Sequence, residues 1–205
     1  MKPILAIFGT TIVILALAVA YIIDLAQVPT STVHAASTGA HTASINIDVV
    51  PGAGAGPHPD WVQYQTFDFN AHQSATQFVV PVSSWVTVTV HQYDSSTTLR
   101  NAFFGLVQGT QGNVAYLNGK PFQALSSDLP SHTFSIPGLG INVPLEGVPS
   151  NAAANVYQTI KFTFYSGDKK TIYHWQCFDP CGWGAYGNGG PMQTYGYMDG
   201  RIQVV

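Results

Sequence analysis

The chain has 205 residues, enough for one ordinary domain together with an anchor or a tail. Only 8% of the residues are charged, against about 25% in an average globular protein, whereas 46% are hydrophobic and 12% aromatic. These proportions exclude a disordered chain and a coiled coil. With 7 Lys and Arg against 10 acidic residues, a basic nucleic-acid-binding surface is excluded as well. The 20 Gly and 13 Pro interrupt long helices, so the composition predicts an all-β fold.

The N-terminus begins with an uncharged apolar stretch over residues 4–23. As a helix, this stretch would span roughly 30 Å, the thickness of the hydrocarbon core of a bilayer. Lys2 precedes it and Asp24 follows it, which places the N-terminus in the cytoplasm. The alternative is a cleaved signal peptide, whose apolar region is normally shorter. We predict a single-pass anchor in residues 1–26 that contacts the bilayer through residues 4–23, with the rest of the chain outside the cytoplasm at the cell membrane.

The segment after the anchor, residues 27–56, is rich in Ala, Ser, Thr, Gly and Pro. This composition is typical of a flexible linker, and residues 44–50 are its one strand-like part. We therefore expect a stalk that ends where a folded domain of residues 57–205 begins.

The remaining sequence alternates between apolar and polar residues, as strands do. Turn-forming residues such as Asn118-Gly119 separate the strands. A longer excursion occupies residues 100–127. The pattern predicts a β-sandwich or barrel with strands at residues 61–69, 77–80, 85–91, 132–136, 159–165, 171–177 and 201–205.

The two cysteines, Cys177 and Cys181, are separated by three residues. One interpretation is a disulfide across a tight loop, which an oxidising exterior permits but which would constrain the unfolded chain very little. The other is a pair of thiolates that bind one soft metal, for which copper is the best candidate. The spacing alone leaves both interpretations open.

Three blocks of sequence resemble subunit II of the haem–copper terminal oxidases. Residues 173–182 (YHWQCFDPCG) are similar to the cysteine loop of that family, in which the cysteine pair bridges the two coppers of the CuA centre. Residues 128–140 (DLPSHTFSIPGLG) resemble the segment that carries the first copper histidine, and residues 198–205 (MDGRIQVV) the segment that carries the methionine ligand. The resemblance implies an all-β, cupredoxin-like Greek-key β-sandwich that follows an N-terminal transmembrane helix. It also implies copper as the cofactor, with the metal ligands His132, Cys177, Cys181 and Met198.

The resemblance is incomplete at one copper ligand. The family places a second histidine four residues after the second cysteine and three before the methionine. Here no histidine follows Cys181, and Tyr195 stands three residues before Met198. Met192 is an alternative thioether donor. The implied copper site is therefore an altered one.

The function that the resemblance implies is electron transfer, from a soluble donor outside the membrane to a membrane oxidase complex of a respiratory chain. The chain would be at most the electron-entry subunit of such an oxidase, and we expect no catalytic chemistry of its own. It carries no nucleotide-binding loop or catalytic-triad motif. The alternative is a copper-free structural or interaction subunit, as in the quinol-oxidising relatives of the family, with the two cysteines as a disulfide or free thiols.

Overall fold

The computed structural model describes residues 10–21, 30–67, 72–182, 187 and 189–205. In these residues the chain forms a single curled sheet of 13 strands. The strands are β1 Thr30–His34, β2 Ala36–Gly39, β3 Thr42–Val50, β4 Gln63–Thr66, β5 Ser74–Val80, β6 Trp85–Gln92, β7 Ala115–Leu117, β8 Lys120–Phe122, β9 Pro130–Ile136, β10 Ile141–Glu146, β11 Gln158–Tyr165, β12 Thr171–Gln176 and β13 Asp199–Val204. Short 3-10 helices occupy Ala102–Gly105, Gln111–Asn113, Pro137–Leu139 and Gly190–Gln193. The predicted all-β class is confirmed.

The N-terminal apolar stretch is helical over residues 10–21. Among the described helices, none combines the length and the apolar character that crossing a bilayer requires. The rest of the predicted anchor, residues 1–9 and 22–26, lies outside the described residues, so the anchor stays a prediction.

The strand order divides the sheet into two halves. It runs β10-β9-β12-β13-β5-β4-β3-β6-β11-β7-β8, with β1 beside β5 and β2 beside β3. The halves are linked where β4 and β5 pair at Gln65 and Ser74. Because β1 and β2 are almost continuous in sequence, residues 30–39 lie along the edges of both halves.

The N-terminal strands occupy much of the segment for which the sequence predicts a stalk. β3 pairs in parallel with β6 from Thr42 opposite Trp85 to Val49 opposite Gln92. Ile45, Ile47 and Val49 are buried in the core. Ser- and Ala-rich composition resembles a linker, but the period-2 burial of β3 shows that the stretch is an integral part of the sheet.

Most of the predicted strands are present, with shifted ends. β5, β6, β9, β11, β12 and β13 cover the predicted positions, and the strand predicted at 61–69 is realised as the shorter β4. The excursion predicted over residues 100–127 contains two of the 3-10 helices and the hairpin of β7 and β8. The turn of that hairpin is Asn118-Gly119, where both residues have positive φ, 49° and 83°. This backbone favours Asn-Gly and matches the twist of the two strands.

The core lies between the two halves of the sheet, and aromatic rings fill its centre. Trp175 of β12 is fully buried. Its ring stacks on Phe134 of β9 at 5.2 Å and meets Tyr64 of β4 edge-on at 4.7 Å. The indole N–H donates to the carbonyl of Thr76, at 2.9 Å. Trp175 thus packs against both halves immediately before the cysteine loop.

Gly200 allows this arrangement because β13 passes very close to β5. A Cβ atom at Gly200 would lie 1.8 Å from the carbonyl oxygen of Thr76 and 2.6 Å from Nε1 of Trp175. No side chain fits there, so glycine is required for the approach of the strands.

Candidate metal site

The metal site is assembled where β9 begins and β12 ends. Gln176, the last residue of β12, pairs with Ser135 of the antiparallel β9. The next residue along the chain, Cys177, therefore comes opposite the start of β9, which carries His132. Residues 45 positions apart in sequence are brought together by this single strand contact.

Three of the four predicted ligands lie together. The ligand atoms of His132, Cys177 and Cys181 are all within 4.8 Å of one another. The two sulfur atoms are 3.5 Å apart, and Cys177 Sγ is 3.9 Å from His132 Nδ1. Both cysteines are free thiols, not a disulfide. His132 and Cys177 are fully buried, whereas Cys181 is partly exposed.

A methionine sulfur also reaches the cluster, and it belongs to Met192. Met192 Sδ is 2.8 Å from Cys181 Sγ. The backbone carbonyl of Met192 accepts a hydrogen bond from the Gln176 side chain at 2.8 Å, which fixes its segment to β12. Met198 is buried next to the site, and its carbonyl accepts the N–H of Cys177 at 3.0 Å. The contact of Met192 makes it the better candidate thioether, while the predicted role of the Met198 sulfur stays a prediction.

Thr133 joins the histidine strand to the cysteine loop. Its backbone N–H donates to Cys177 Sγ at 3.3 Å, and its hydroxyl oxygen accepts the N–H of Phe178 at 2.8 Å. The same hydroxyl contacts Ser135 at 3.0 Å, and Ser135 donates to Asn142 at 2.7 Å. All but the bond from Phe178, which is partly buried, are buried, and together they hold the loop in a fixed position relative to His132.

Thr133→Val is expected to lower the free energy of unfolding of the metal-free protein by about 1–3 kcal/mol, because it leaves the partly buried N–H of Phe178 without its acceptor. Thr133→Ser keeps the hydroxyl and is the control, with a smaller loss. Denaturant unfolding of both variants provides the measurement. Equal stability of the two variants would show that the hydroxyl does not hold the loop.

His132 presents its two ring nitrogens to different partners. Nδ1 faces Cys177, and Nε2 lies 3.1 Å from Oδ2 of Asp94. Burial would lower the pKa of His132, but its hydrogen bonds with Asp94 and Cys177 and their charges raise it to about 10. In the metal-free site, His132 is thus a cation beside Asp94 and Cys177.

The two thiols of the site differ in acidity. Burial would raise the pKa of Cys177, but its hydrogen bonds with Cys181 and His132 and the charge of His132 hold it well below its usual value. Burial and the neighbouring Cys177 raise the pKa of Cys181 well above its usual value. Burial, followed by the charge of Cys177, raises the pKa of the buried Asp179 to about 7. One thiolate therefore pairs with one imidazolium, and metal binding requires loss of the proton on Nδ1 and of the thiol proton.

The other candidate residues lie outside the cluster. His174 points to the outer face, half-exposed, with Nε2 2.9 Å from Asp199 Oδ1. His91 lies 3.4 Å from Asp48, and its ring packs against Phe67. Tyr195, which stands in place of the second copper histidine, has its ring near the Arg201 guanidinium at 5.5 Å.

The donor set can be tested against the metals that proteins bind. Two thiolates and an imidazole suit both zinc and copper. A thioether is a ligand of copper sites and is not among the usual ligands of zinc. With Met192 in contact with Cys181, the residues present fit copper, and they provide one histidine where the CuA pattern has two.

The partners of the ligands were not recognised in the sequence. Asp94 lies 38 residues before His132, and nothing in its neighbourhood marks it as a partner of the site. Thr133 could have been noticed, since it directly follows the predicted ligand His132.

Comparisons with known proteins give a likeness in overall shape only. No protein-family model and no curated protein matches the chain. Among solved structures, the chain is similar to reduced rusticyanin, at 15% identity over 85% of this chain and 84% of that one, with a TM-score of 0.37. It is also similar to rusticyanin from Thiobacillus ferrooxidans, at 14% identity over 87% of each chain and a TM-score of 0.37. A third structure, described as the copper protein rusticyanin, has 15% identity, coverage of 93% and 94%, and a TM-score of 0.33. A likeness this distant does not bear on metal binding, which depends on the ligand atoms of the site.

Proposed function

We propose that this protein binds copper through His132, Cys177 and Cys181 and transfers electrons with it. The observation that carries the proposal is the convergence of one imidazole nitrogen and two free thiols within 4.8 Å. Bound copper would supply a one-electron redox couple, Cu(I)/Cu(II), which soft sulfur and imidazole donors can hold in both states. With one histidine where the CuA pattern has two, the proposed site differs from the CuA centre that the cysteine loop resembles.

The protein contributes a rigid and largely dry environment to this function. His132 is fixed by β9 and Asp94, and Cys177 by β12 and the N–H of Thr133. Burial of both residues excludes water from one side of the site, while the partly exposed Cys181 leaves the other side close to the surface. Fixed ligands keep the rearrangement between redox states small, which favours electron transfer over bond chemistry.

The sequence suggests where the protein acts and with which partners. The apolar residues 4–23 would anchor the chain in the cell membrane, with the β-sheet domain outside the cytoplasm. A soluble electron donor and a membrane oxidase complex are then the partners, as for subunit II of the terminal oxidases. Protease added to intact cells tests the orientation, because it should digest the domain and leave the anchor.

A copper-free structural subunit is the second candidate. It is favoured by the way in which the cluster satisfies its own charges, with Cys177 and Asp94 on either side of His132. The presence of one histidine donor where the CuA pattern has two also favours a copper-free subunit. In this case the two cysteines would act only in packing.

Anaerobic titration of the reduced full-length protein with copper separates the two functions. We expect copper to bind at a fixed stoichiometry and, when oxidised, to give an intense visible absorption from thiolate-to-copper charge transfer. A protein that stays colourless with Cu(II) and does not retain Cu(I) against a chelator would be the copper-free subunit.

Met192→Leu is expected to weaken Cu(I) binding about tenfold, the equivalent of 1.4 kcal/mol, because it removes the thioether that contacts Cys181. Met198→Leu is the matched control, a buried methionine of the same segment, and should retain the wild-type affinity. Competition with a coloured Cu(I) chelator measures both. The reverse order of the two effects would identify Met198 as the thioether ligand.

A further inference from the structure

Hydrogen bonds hold the carboxylate of Asp94 in place beside His132. Asp94 follows the end of β6, where its carbonyl accepts the N–H of Val148 at 2.9 Å. Its Oδ1 accepts the N–H of Ser95 at 2.7 Å, which leaves Oδ2 for Nε2 of His132. Both ends of the residue are thus fixed, and its side chain is only 22% exposed.

This contact decides which ring nitrogen is available to a metal. An imidazole that gives its Nε2–H to a carboxylate offers the lone pair of Nδ1 for coordination once the Nδ1 proton has left. Here Nδ1 is the nitrogen that faces Cys177. The carboxylate also brings a negative charge close to the site, which favours Cu(II) over Cu(I).

We propose that Asp94 is a positioning residue of the copper site, one that accepts the Nε2–H of His132, directs Nδ1 toward the metal and lowers the reduction potential. The inference rests on the proposed copper function, but its first part concerns the orientation of His132 and can be tested without copper. The pKa of the Asp94 carboxyl is consistent with this contact. Burial would raise that pKa, yet the hydrogen bond with His132 and the charge of His132 lower it.

The matched control is Asp199, which forms the same kind of pair with His174 on the outer face of the sheet, at 2.9 Å. Asp94→Ala removes the acceptor. Asp94→Asn removes the charge but leaves an amide oxygen that can accept the same N–H. Asp199→Ala removes an equal charge and the partner of a half-exposed histidine on the outer face of the sheet.

The test combines two measurements on these full-length variants. In the copper-free protein, ¹H–¹⁵N spectra of the histidine rings should show a slowly exchanging Nε2–H of His132 that Asp94→Ala loses and Asp199→Ala keeps. With copper, Asp94→Ala should bind about 10–100-fold more weakly. Asp94→Asn should lower the ratio of Cu(II) to Cu(I) affinity about tenfold, equivalent to about 59 mV in potential.

The outcomes separate this inference from the proposed function. A wild-type protein without copper affinity defeats the proposed function, and the ring spectra then decide the role of Asp94 alone. Unchanged His132 signals together with unchanged potential in the Asp94 variants would overturn the inference even if copper binds. If Asp94→Ala fails to fold, Asp94→Asn decides by the potential, because this variant keeps the acceptor and loses only the charge; an unchanged potential would then overturn the inference.

Discussion

Replacement of either cysteine by serine is expected to remove that thiolate's share of the visible thiolate-to-copper absorption and to lower copper affinity by more than about 100-fold, the upper cost of losing an outer partner of a ligand. A hydroxyl group is a poor ligand for Cu(I) and gives no such charge transfer. Cys177→Ser should have the larger effect, because Cys177 is fully buried between His132 and the N–H of Thr133. Cys181 lies at the exposed side of the site.

Copper titration and visible spectra of Cys177→Ser and Cys181→Ser provide the measurement. Met198→Leu serves as a control that changes a buried sulfur beside the site but leaves both thiols. If Cys181→Ser kept the full absorption of the wild-type protein, the site would have only one thiolate ligand, contrary to the proposed arrangement.

Trp175→Ala is expected to lower the free energy of unfolding by about 3–5 kcal/mol, which is the usual cost of removing a large buried aromatic side chain. Trp175 contacts both halves of the sheet through Phe134 and Tyr64, and its N–H bonds to Thr76. The truncation removes all of these contacts at once.

Trp85→Ala is the matched control, because Trp85 is 40% exposed at the start of β6. Trp85→Ala should lower the free energy of unfolding much less than Trp175→Ala does, since the Trp85 ring packs against Tyr165 at the surface. Denaturant unfolding compares the two. Losses of the same size would mean that Trp175 does not connect the two halves.

The fold could be predicted from the sequence where a strand or turn depends on the pattern of neighbouring residues. The alternating run at residues 85–91 appears as β6, and Asn118-Gly119 forms the predicted turn. β10 was not predicted, because Pro144, which cannot donate to a strand ladder, stands in its middle. β1 and β2 were not predicted either, since their Ser, Thr and Ala residues resemble a linker and become strands only through pairing with β5 and β3.

The site could be predicted only in part, because some of its contacts join residues that are far apart in the sequence. The cysteine loop and His132 were recognisable from the residues around them. Asp94 and Met192 were harder, because their roles depend on distances that the fold creates: 3.1 Å from Asp94 to His132 and 2.8 Å from Met192 to Cys181. Sequence spacing carries no information on contacts of this kind.

X-ray absorption at the copper edge of the loaded protein tests the central claim most directly, since it counts the atoms bound to the metal. We expect a spectrum dominated by sulfur with a single imidazole, as His132, Cys177, Cys181 and one thioether would give. The second imidazole of a CuA site should be missing. A spectrum with only nitrogen and oxygen neighbours would contradict the account, because copper would then be bound elsewhere than between the two cysteines.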